Sequence, residues 1–219
     1  MLTQVELINP LHPKAAAYRA VLAHLRNQPE SEKQYRGTAL KHWATNPDVD
    51  HIIGKKLSQK YRFAEGAAHQ RQALEFDAKY LPAKIQLASD LLRLGEEDEG
   101  WRLANEVYDA DGYNIFAHNL VTLQDSIAKF RTLEDDGIIV RMDAREADIY
   151  GRRVLDLLKR AKQQIAAKYE VTLPAPIIVE MFPKQEDFAI RTFGLPGGAG
   201  FLGVCFGTVI TANSPASQD

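Results

Sequence analysis

Apolar side chains recur every three or four residues through much of the chain, which is the spacing of one buried helical face. The first such stripe, over residues 14–27, consists of Ala17, Tyr18, Val21, Leu22 and Leu25. A second helix is predicted over residues 31–45, where Ser31 is a suitable N-cap. Together these helices predict an antiparallel helix pair that forms a domain over residues 1–46.

From residue 47 the helical pattern continues and repeats itself. A shift of 34 residues places small residues over small ones and large over large. The superposed pairs are Ile53 with Leu87, Gly54 with Ala88, Leu57 with Leu91, Gly66 with Gly100, and Ala73 with Val107. We therefore expect two helices of one hairpin to touch where Gly54 faces Gly66, because only small side chains allow so close an approach.

These positions resemble the tetratricopeptide repeat (TPR) family, whose small and large positions are met by Gly54, Leu57, Gly66 and Ala73 and again by Ala88, Leu91, Gly100 and Val107. The chain departs from the family at Asp50 and Lys84, where the usual residue is Trp, and at Ala78 and Gly112, where it is Pro. A third copy begins at Ile115 but has Asp125 at a large apolar position. The resemblance implies a domain of TPR-like helical repeats over residues 47–132.

In that family, the first helix of each repeat lines a concave groove that binds extended peptides. By position, the resemblance implies that the groove is lined by His51, Lys55, Gln86, Ser89, Arg93 and Asn119. The alternative is that these repeats only pack against the following domain.

The pattern changes after a turn or linker at residues 134–137. Strands are predicted over 138–142 and 177–182, with a long helix from Asp143 to about residue 168 between them, which is a βαβ unit with parallel strands. A short helix over 185–193 ends at Gly194, and a glycine-rich β-hairpin follows with its turn near Gly207. The predicted fold is mainly α with a C-terminal α/β portion: an α-solenoid of TPR-like helix hairpins, the βαβ unit and the hairpin.

Three glycines of the loop, Gly198, Gly200 and Gly203, match the spacing of the dinucleotide-binding fingerprint. That fingerprint requires a strand before it, a helix after it and an acidic residue about 20 positions further on. Here a helix precedes the glycines and a strand follows them, so nucleotide binding is not expected.

The order of elements over residues 138–219 resembles the gluzincin zinc metallopeptidases, and most closely the bacterial peptidase-MA-like group, in which TPR repeats often precede such a domain. In that family the hairpin supplies the edge strand that pairs with substrate. The resemblance assigns this role to Phe201, Leu202, Gly203, Val204, Thr208, Val209 and Ile210. The helix that bears H-E-x-x-H in the family is absent from this chain, and none of the six histidines precedes a Glu. The sequence therefore predicts no catalytic residue, no metal ligand and no cofactor, with zinc implied only for a longer parent protein.

Charge and composition limit the classes of partner that the chain can bind. A net charge of −2 and a pI near 6.3 give no basic surface for nucleic acid or for an anionic membrane. The N-terminus lacks the features of a signal peptide, and no apolar run is long enough for a membrane helix, so a cytoplasmic location is expected by default. The single cysteine, Cys205, is expected to be a small buried hydrophobic residue rather than a reactive thiol.

Two hypotheses follow from these patterns. The first is a non-catalytic module that binds a protein or an extended peptide, in the groove or along the hairpin edge. The second is the N-terminal portion of an active zinc peptidase whose metal-binding helix lies beyond residue 219. We also expect self-association through an exposed hairpin edge, which Val209→Lys or Ile210→Lys should change.

Overall fold

The structure, a computed structural model, describes residues 2–197 and 200–218. It is mainly helical, with a mixed five-stranded sheet in its C-terminal part. The chain divides into two compact units, Met1–Leu91 and Leu92–Asp219, here called unit 1 and unit 2. This division falls within the region predicted to form helical repeats. One glycine of the predicted fingerprint, Gly198, lies outside the described residues.

Unit 1 is helical in the residues that the structure describes. Its helices are α1 (Leu2–Ile8), α2 (Pro13–Leu25), α3 (Pro29–Ala39), α4 (Pro47–Ser58), α5 (Phe63–Phe76) and the first part of α6 (Leu81–Leu94). Prolines start α2, α3 and α4, where the missing N–H is one that a helix leaves unpaired in any case. The sequence pattern did not predict α1, and α3 ends at Ala39 rather than at residue 45.

The core of unit 1 lies mainly between α2 and α4. Its fully or nearly fully buried members are Ala16, Ala17, Ala20, Val21, Ala39, Val49, Ile52, Ile53 and Leu57. Next to this core, α4 and α5 cross at the predicted glycine pair. A Cβ atom on Gly54 would lie only 2.7 Å from the carbonyl oxygen of Gly66, so the expected close approach of these two helices is confirmed.

Unit 2 contains the remaining helices and all five strands. They are α7 (Glu97–Ala110), α8 (Ile115–Ile127), β1 (Arg131–Asp135), β2 (Ile138–Met142), α9 (Ala144–Glu146), a π-helical turn (Ala147–Gly151), α10 (Arg152–Tyr169), β3 (Ile177–Phe182), α11 (Gln185–Phe193), β4 (Gly203–Phe206), β5 (Val209–Asn213) and a 3₁₀ turn (Pro215–Gln218). Asp143 caps α9 by accepting the N–H groups of Arg145 and Glu146, as its position predicts.

The strand order of the sheet is β1-β2-β3-β5-β4. β2, β3 and β5 are parallel to one another, and β1 and β4 pair antiparallel on the outside. The parallel pairing of β2 with β3 and the antiparallel pairing of β4 with β5 agree with the sequence prediction.

The two faces of the sheet are covered by different helices. On one face, Leu155 of α10 packs against Val140, Met142 and Val179. On the other face, Phe182 packs against Phe188 of α11 and Leu123 of α8. Side chains of successive strand residues alternate between these faces, so β3 contributes Val179 to one core and Phe182 to the other.

Three features of this region differ from the sequence prediction. β1 is an additional strand that the sequence pattern did not predict. β5 lies between β3 and β4, so Val209 and Ile210 belong to an inner strand and not to the edge, while Thr208 lies in the turn. Val209 is buried, so a lysine at this position would disrupt the core instead of probing the edge. Cys205, expected to be buried, is exposed because it lies on the outermost strand.

Candidate functional site

The candidate site is the free edge of β4, which a tight turn places on the outside of the sheet. Residues Gly207 and Thr208 connect β4 to β5, and the closing pair is Phe206 with Val209. Gly207 has a φ of 61°, a conformation that favours glycine at the first position of a two-residue hairpin turn. Glycine here therefore sets the register of the hairpin.

The register of this hairpin determines which backbone groups face outward. The N–H of Asn213 donates to the carbonyl oxygen of Leu202 at 2.9 Å, which makes these two residues a hydrogen-bonded pair. Because such pairs alternate along an antiparallel ladder, Val204 and Phe206 also bond to β5, whereas Gly203 and Cys205 direct their N–H and C=O groups outward. Both residues are exposed, so these backbone groups are available to another strand.

Side chains of neighbouring elements hold the hairpin in place. The Asn213 amide donates to the carbonyl oxygen of Phe201 at 2.9 Å and to the Gln185 side chain at 2.5 Å. The hydroxyls of Thr192 and Thr211 lie 2.8 Å apart, which links α11 to β5. These contacts fix the position of the hairpin, and therefore of the β4 edge, relative to α11.

Exposed apolar side chains precede the edge strand. Phe201 is 51% exposed and Leu202 is 69% exposed, and both come directly before β4. The Phe201 ring lies 5.4 Å from that of Phe193 at the end of α11, and the neighbouring Leu195 is also exposed. Together, Phe193, Leu195, Phe201 and Leu202 form an apolar patch beside the β4 edge.

A buried ion network lies beneath the sheet centre. Glu180 of β3 is fully buried and lies 2.7 Å from Nε of Arg191, although the two atoms are not aligned for a hydrogen bond. Arg141 donates to Glu97 at 2.6 Å and to Glu180 at 3.3 Å, and the Glu97 contact raises the pKa of Arg141. Arg191 also donates to the carbonyl oxygen of Leu92. These contacts connect β2, β3, α7 and α11.

The predicted groove residues of unit 1 are mostly engaged within that unit. His51 is buried, with its Nδ1 atom 2.9 Å from Oε1 of Gln70. Gln86 donates to Asp90, and Ser89 donates to the carbonyl oxygen of Ile85, both one helical turn away. Lys55 is exposed.

The two predicted groove residues of unit 2 contact the end of α11. Arg93 donates to the carbonyl oxygen of Thr192 at 3.2 Å, and its guanidinium lies 5.7 Å from the Phe206 ring centroid. Asn119 donates to the carbonyl oxygen of Gly194 at 3.2 Å. These side chains satisfy carbonyl groups that the helix leaves unpaired at its C-terminus.

The sequence pattern did not predict a cluster of charged side chains around Asp50 in unit 1. Arg36 donates two hydrogen bonds to the fully buried Asp50, and Nδ1 of His69 lies 2.8 Å from the same carboxylate. Burial raises the pKa of Asp50, but the hydrogen bonds from His69 and Arg36 outweigh this effect and lower it below its usual value. The sequence signal for this cluster was Asp50, a charged residue where the repeat family that the sequence resembles usually has Trp.

The arrangement contains no evident metal centre among the described residues. Within residues 2–197 and 200–218, no three or more His, Cys, Asp or Glu side chains are grouped so that they could hold a metal ion. In the same part of the chain, no helix combines the length and the apolar character needed to cross a membrane.

Comparison of the chain with models of known protein families finds no match, and a search of curated proteins finds no matching protein. The β4 edge and the residues around it are therefore the features that indicate a function.

Proposed function

We propose that this chain is a non-catalytic interaction module that binds an extended peptide of a partner protein as an additional strand on β4. Strand addition uses backbone hydrogen bonds for affinity and neighbouring side-chain pockets for specificity. The TPR-like repeats and the gluzincin-like α/β portion are part of this proposal, since both resemblances imply a surface for extended peptides.

The observation that carries the proposal is the outward backbone of Gly203 and Cys205 on an exposed edge strand. None of the four residues of β4, Gly203–Phe206, is charged and none is proline. Natural edge strands that avoid pairing usually contain such residues. The β4 edge therefore has the properties of a strand acceptor.

The apolar patch beside the edge favours a particular type of peptide. A strand that pairs with β4 and continues past Leu202 would place side chains near Phe201 and Phe193. An aliphatic or aromatic residue at that end of the peptide would bury part of this exposed surface. The proposed ligand is thus an extended segment with an apolar end.

The alternative function is the substrate-binding half of an active zinc peptidase. It is favoured by the sheet face opposite α11, where Met181, Ile210 and Ala212 are only partly buried and Cys205 is exposed. A further helix packed on this face would cover them. In this alternative, the metal-binding helix lies beyond residue 219 and the β4 edge pairs with substrate. Bound zinc and peptide cleavage, both measured on a longer product of the gene, would support it.

The strand-addition proposal is tested with Cys205→Pro. Proline removes the outward N–H of residue 205 but leaves the ladder with β5 intact, because residue 205 does not bond to β5. Peptides are first selected from a random twelve-residue display library on the wild-type chain, and their affinities are then measured by titration calorimetry. We expect Cys205→Pro to weaken binding about tenfold or more, since a hydrogen bond is lost and the proline ring blocks the added strand.

The matched control is Cys205→Ala, which keeps the backbone N–H and should bind within about twofold of the wild type. A second readout is hydrogen exchange of the Gly203 and Cys205 amides, which should slow when the peptide binds. Equal binding by the Pro and Ala variants, or protection confined to the helices of unit 1, would contradict the proposal.

A further inference from the structure

We propose that unit 1 contains a binding site for a free alkyl carboxylate, in an open cavity between α1, α2 and α4. The cavity has a volume of about 580 Å³, which is in the range of small-molecule sites. This site is independent of the β4 edge and of the function proposed for it.

The walls of the cavity are apolar. They are formed by Leu2 and Val5 of α1 together with Ala15, Tyr18, Val21, Leu22 and Leu25 of α2. Arg19 fixes α1 over α2, because its guanidinium donates to both carboxylate oxygens of Glu6, at 2.8 and 2.7 Å. The cavity is therefore built by a specific contact between the two helices.

The rim of the cavity is positively charged. Lys14, Lys56 and Lys60 line it, and none of the described lining residues is acidic. Lys14 is paired with Asp48 at 3.0 Å, outside the lining. Lys56 donates to the Gln59 amide oxygen at 2.9 Å and lies 5.9 Å from the Tyr18 ring centroid. Among the described residues, neither Lys56 nor Lys60 is paired with a carboxylate, so two ammonium groups remain for an anionic ligand.

Another donor is contributed by His12. Its Nδ1 atom accepts the N–H of Ala15 at 3.3 Å, so the neutral ring carries its proton on Nε2. Cations and an N–H donor at the rim of an apolar cavity match a ligand with a carboxylate at one end and a hydrocarbon body.

The apolar walls favour an alkyl chain over a peptide. A peptide has an N–H and a C=O group at nearly every residue, and each buried group needs a hydrogen-bond partner. The described polar side chains of this cavity lie at the lysine-rich rim and include no carboxylate that could accept the N–H groups of a peptide. A saturated chain buries its surface without such partners, so a medium-chain fatty acid fits the site.

The proposal is tested by titrating the full chain with octanoate, decanoate and dodecanoate below their micelle-forming concentrations. Calorimetry should show one saturable site whose affinity rises roughly fourfold for each added methylene group, as expected for burial in an apolar cavity. Dodecanol should bind about tenfold more weakly than dodecanoate, because it lacks the charge that pairs with the lysines.

Two variants separate the rim from the walls. The double variant Lys56→Met and Lys60→Met should weaken dodecanoate binding about tenfold and leave dodecanol binding unchanged. Leu22→Trp should weaken both ligands, because the indole occupies cavity volume from a position that is already partly exposed. The control Lys33→Met removes an exposed lysine outside the cavity and should leave both affinities unchanged.

Circular dichroism of each variant verifies that the helices remain folded. Equal affinity for dodecanoate and dodecanol would overturn the proposal, as would the absence of saturation by any of the three acids. Saturable binding of acetyl-leucyl-leucine, in the absence of fatty-acid binding, would assign the cavity to a peptide C-terminus and would also overturn it.

Discussion

Glycine at single positions decides how closely helices of unit 1 approach. A Cβ atom at residue 54 would lie 2.5 Å from Nε2 of Gln70 and 2.7 Å from the carbonyl oxygen of Gly66. The second of these atoms belongs to the backbone and cannot rotate away. Gly37, in the exposed interior of α3, has no atom within 4 Å of its Cβ position.

We therefore expect Gly54→Ala to destabilise the chain by about 1–3 kcal/mol, since α4 and α5 must separate to accept the methyl group. The matched control Gly37→Ala should stabilise it by about 0.5–1 kcal/mol, because alanine is the better helix former where space is free. Urea denaturation followed by circular dichroism measures both changes. Equal effects of the two substitutions would show that the close contact at Gly54 does not exclude a larger side chain there.

Residue patterns predicted the glycine contact but not the exposure of Cys205. Gly54 and Gly66 belong to a repeated local pattern, and their contact follows from pairing two consecutive helices. The exposure of Cys205 depends on which strand lies outermost, and residues distant in sequence determine that order. Flanking apolar residues alone therefore gave the wrong prediction for this side chain.

His51 of α4 is buried and contacts Gln70 of α5, and its titration affects the free energy of unfolding. Burial lowers the pKa of His51, with Lys55 and Lys14 adding to this effect, while the Gln70 hydrogen bond and Asp48 oppose it. The folded-state pKa is thus below the unfolded value of about 6.5. The unfolded chain binds more protons between the two values, so this contribution to stability is full above about pH 6.5 and is lost as the pH falls below it.

We expect the unfolding free energy of the wild type to fall more steeply from pH 7 to pH 5 than that of His51→Gln, which retains a polar side chain without the titration. The difference between the two curves isolates the effect of His51 from that of the other histidines. Urea midpoints at pH 5, 6 and 7 provide the measurement. Parallel curves for the two proteins would contradict a lowered pKa of His51 in the folded state.

The element that sequence reasoning missed, β1, had a recognisable signal. Asp136 and Gly137 both have positive φ, at 51° and 68°, and they join β1 to β2. An Asp-Gly pair at this position is typical of a tight hairpin turn. The sequence predicts this turn but not the strand Arg131–Asp135 that precedes it. The strand is polar, and only Leu133 contributes an apolar side chain to the core.

At the scale of the whole molecule, the buried ions of unit 2 join elements that are far apart in the chain. Glu180 is the only charged residue of β3, and a carboxylate in a buried strand requires a partner. This residue was the sequence signal for the network. Its partners were not predictable, because Arg141 becomes its neighbour only through the register of β2 and Arg191 only through the packing of α11.

We expect Arg191→Met to destabilise unit 2 by about 3–5 kcal/mol, because it leaves Glu180 with weaker compensation for a buried charge. The double variant Arg191→Met and Glu180→Leu should recover much of this loss, while Arg141 keeps its contact with Glu97. Arg152→Met, at a 73% exposed side chain, is the control and should change stability by less than about 0.5 kcal/mol. Urea unfolding measures the stability of these three variants. A double variant as unstable as Arg191→Met would refute the pairing of Arg191 with Glu180.

The two outer strands of the sheet differ in charge, and this difference would limit the size of an assembly that forms through β4. β1 contains Arg131, Glu134 and Asp135, whereas β4 has no charged residue. If two copies meet through β4 around a twofold axis, only the charged β1 strands remain at the ends of the combined sheet. Growth of the sheet would then stop at a pair, so pairing through β4 would not lead to fibres.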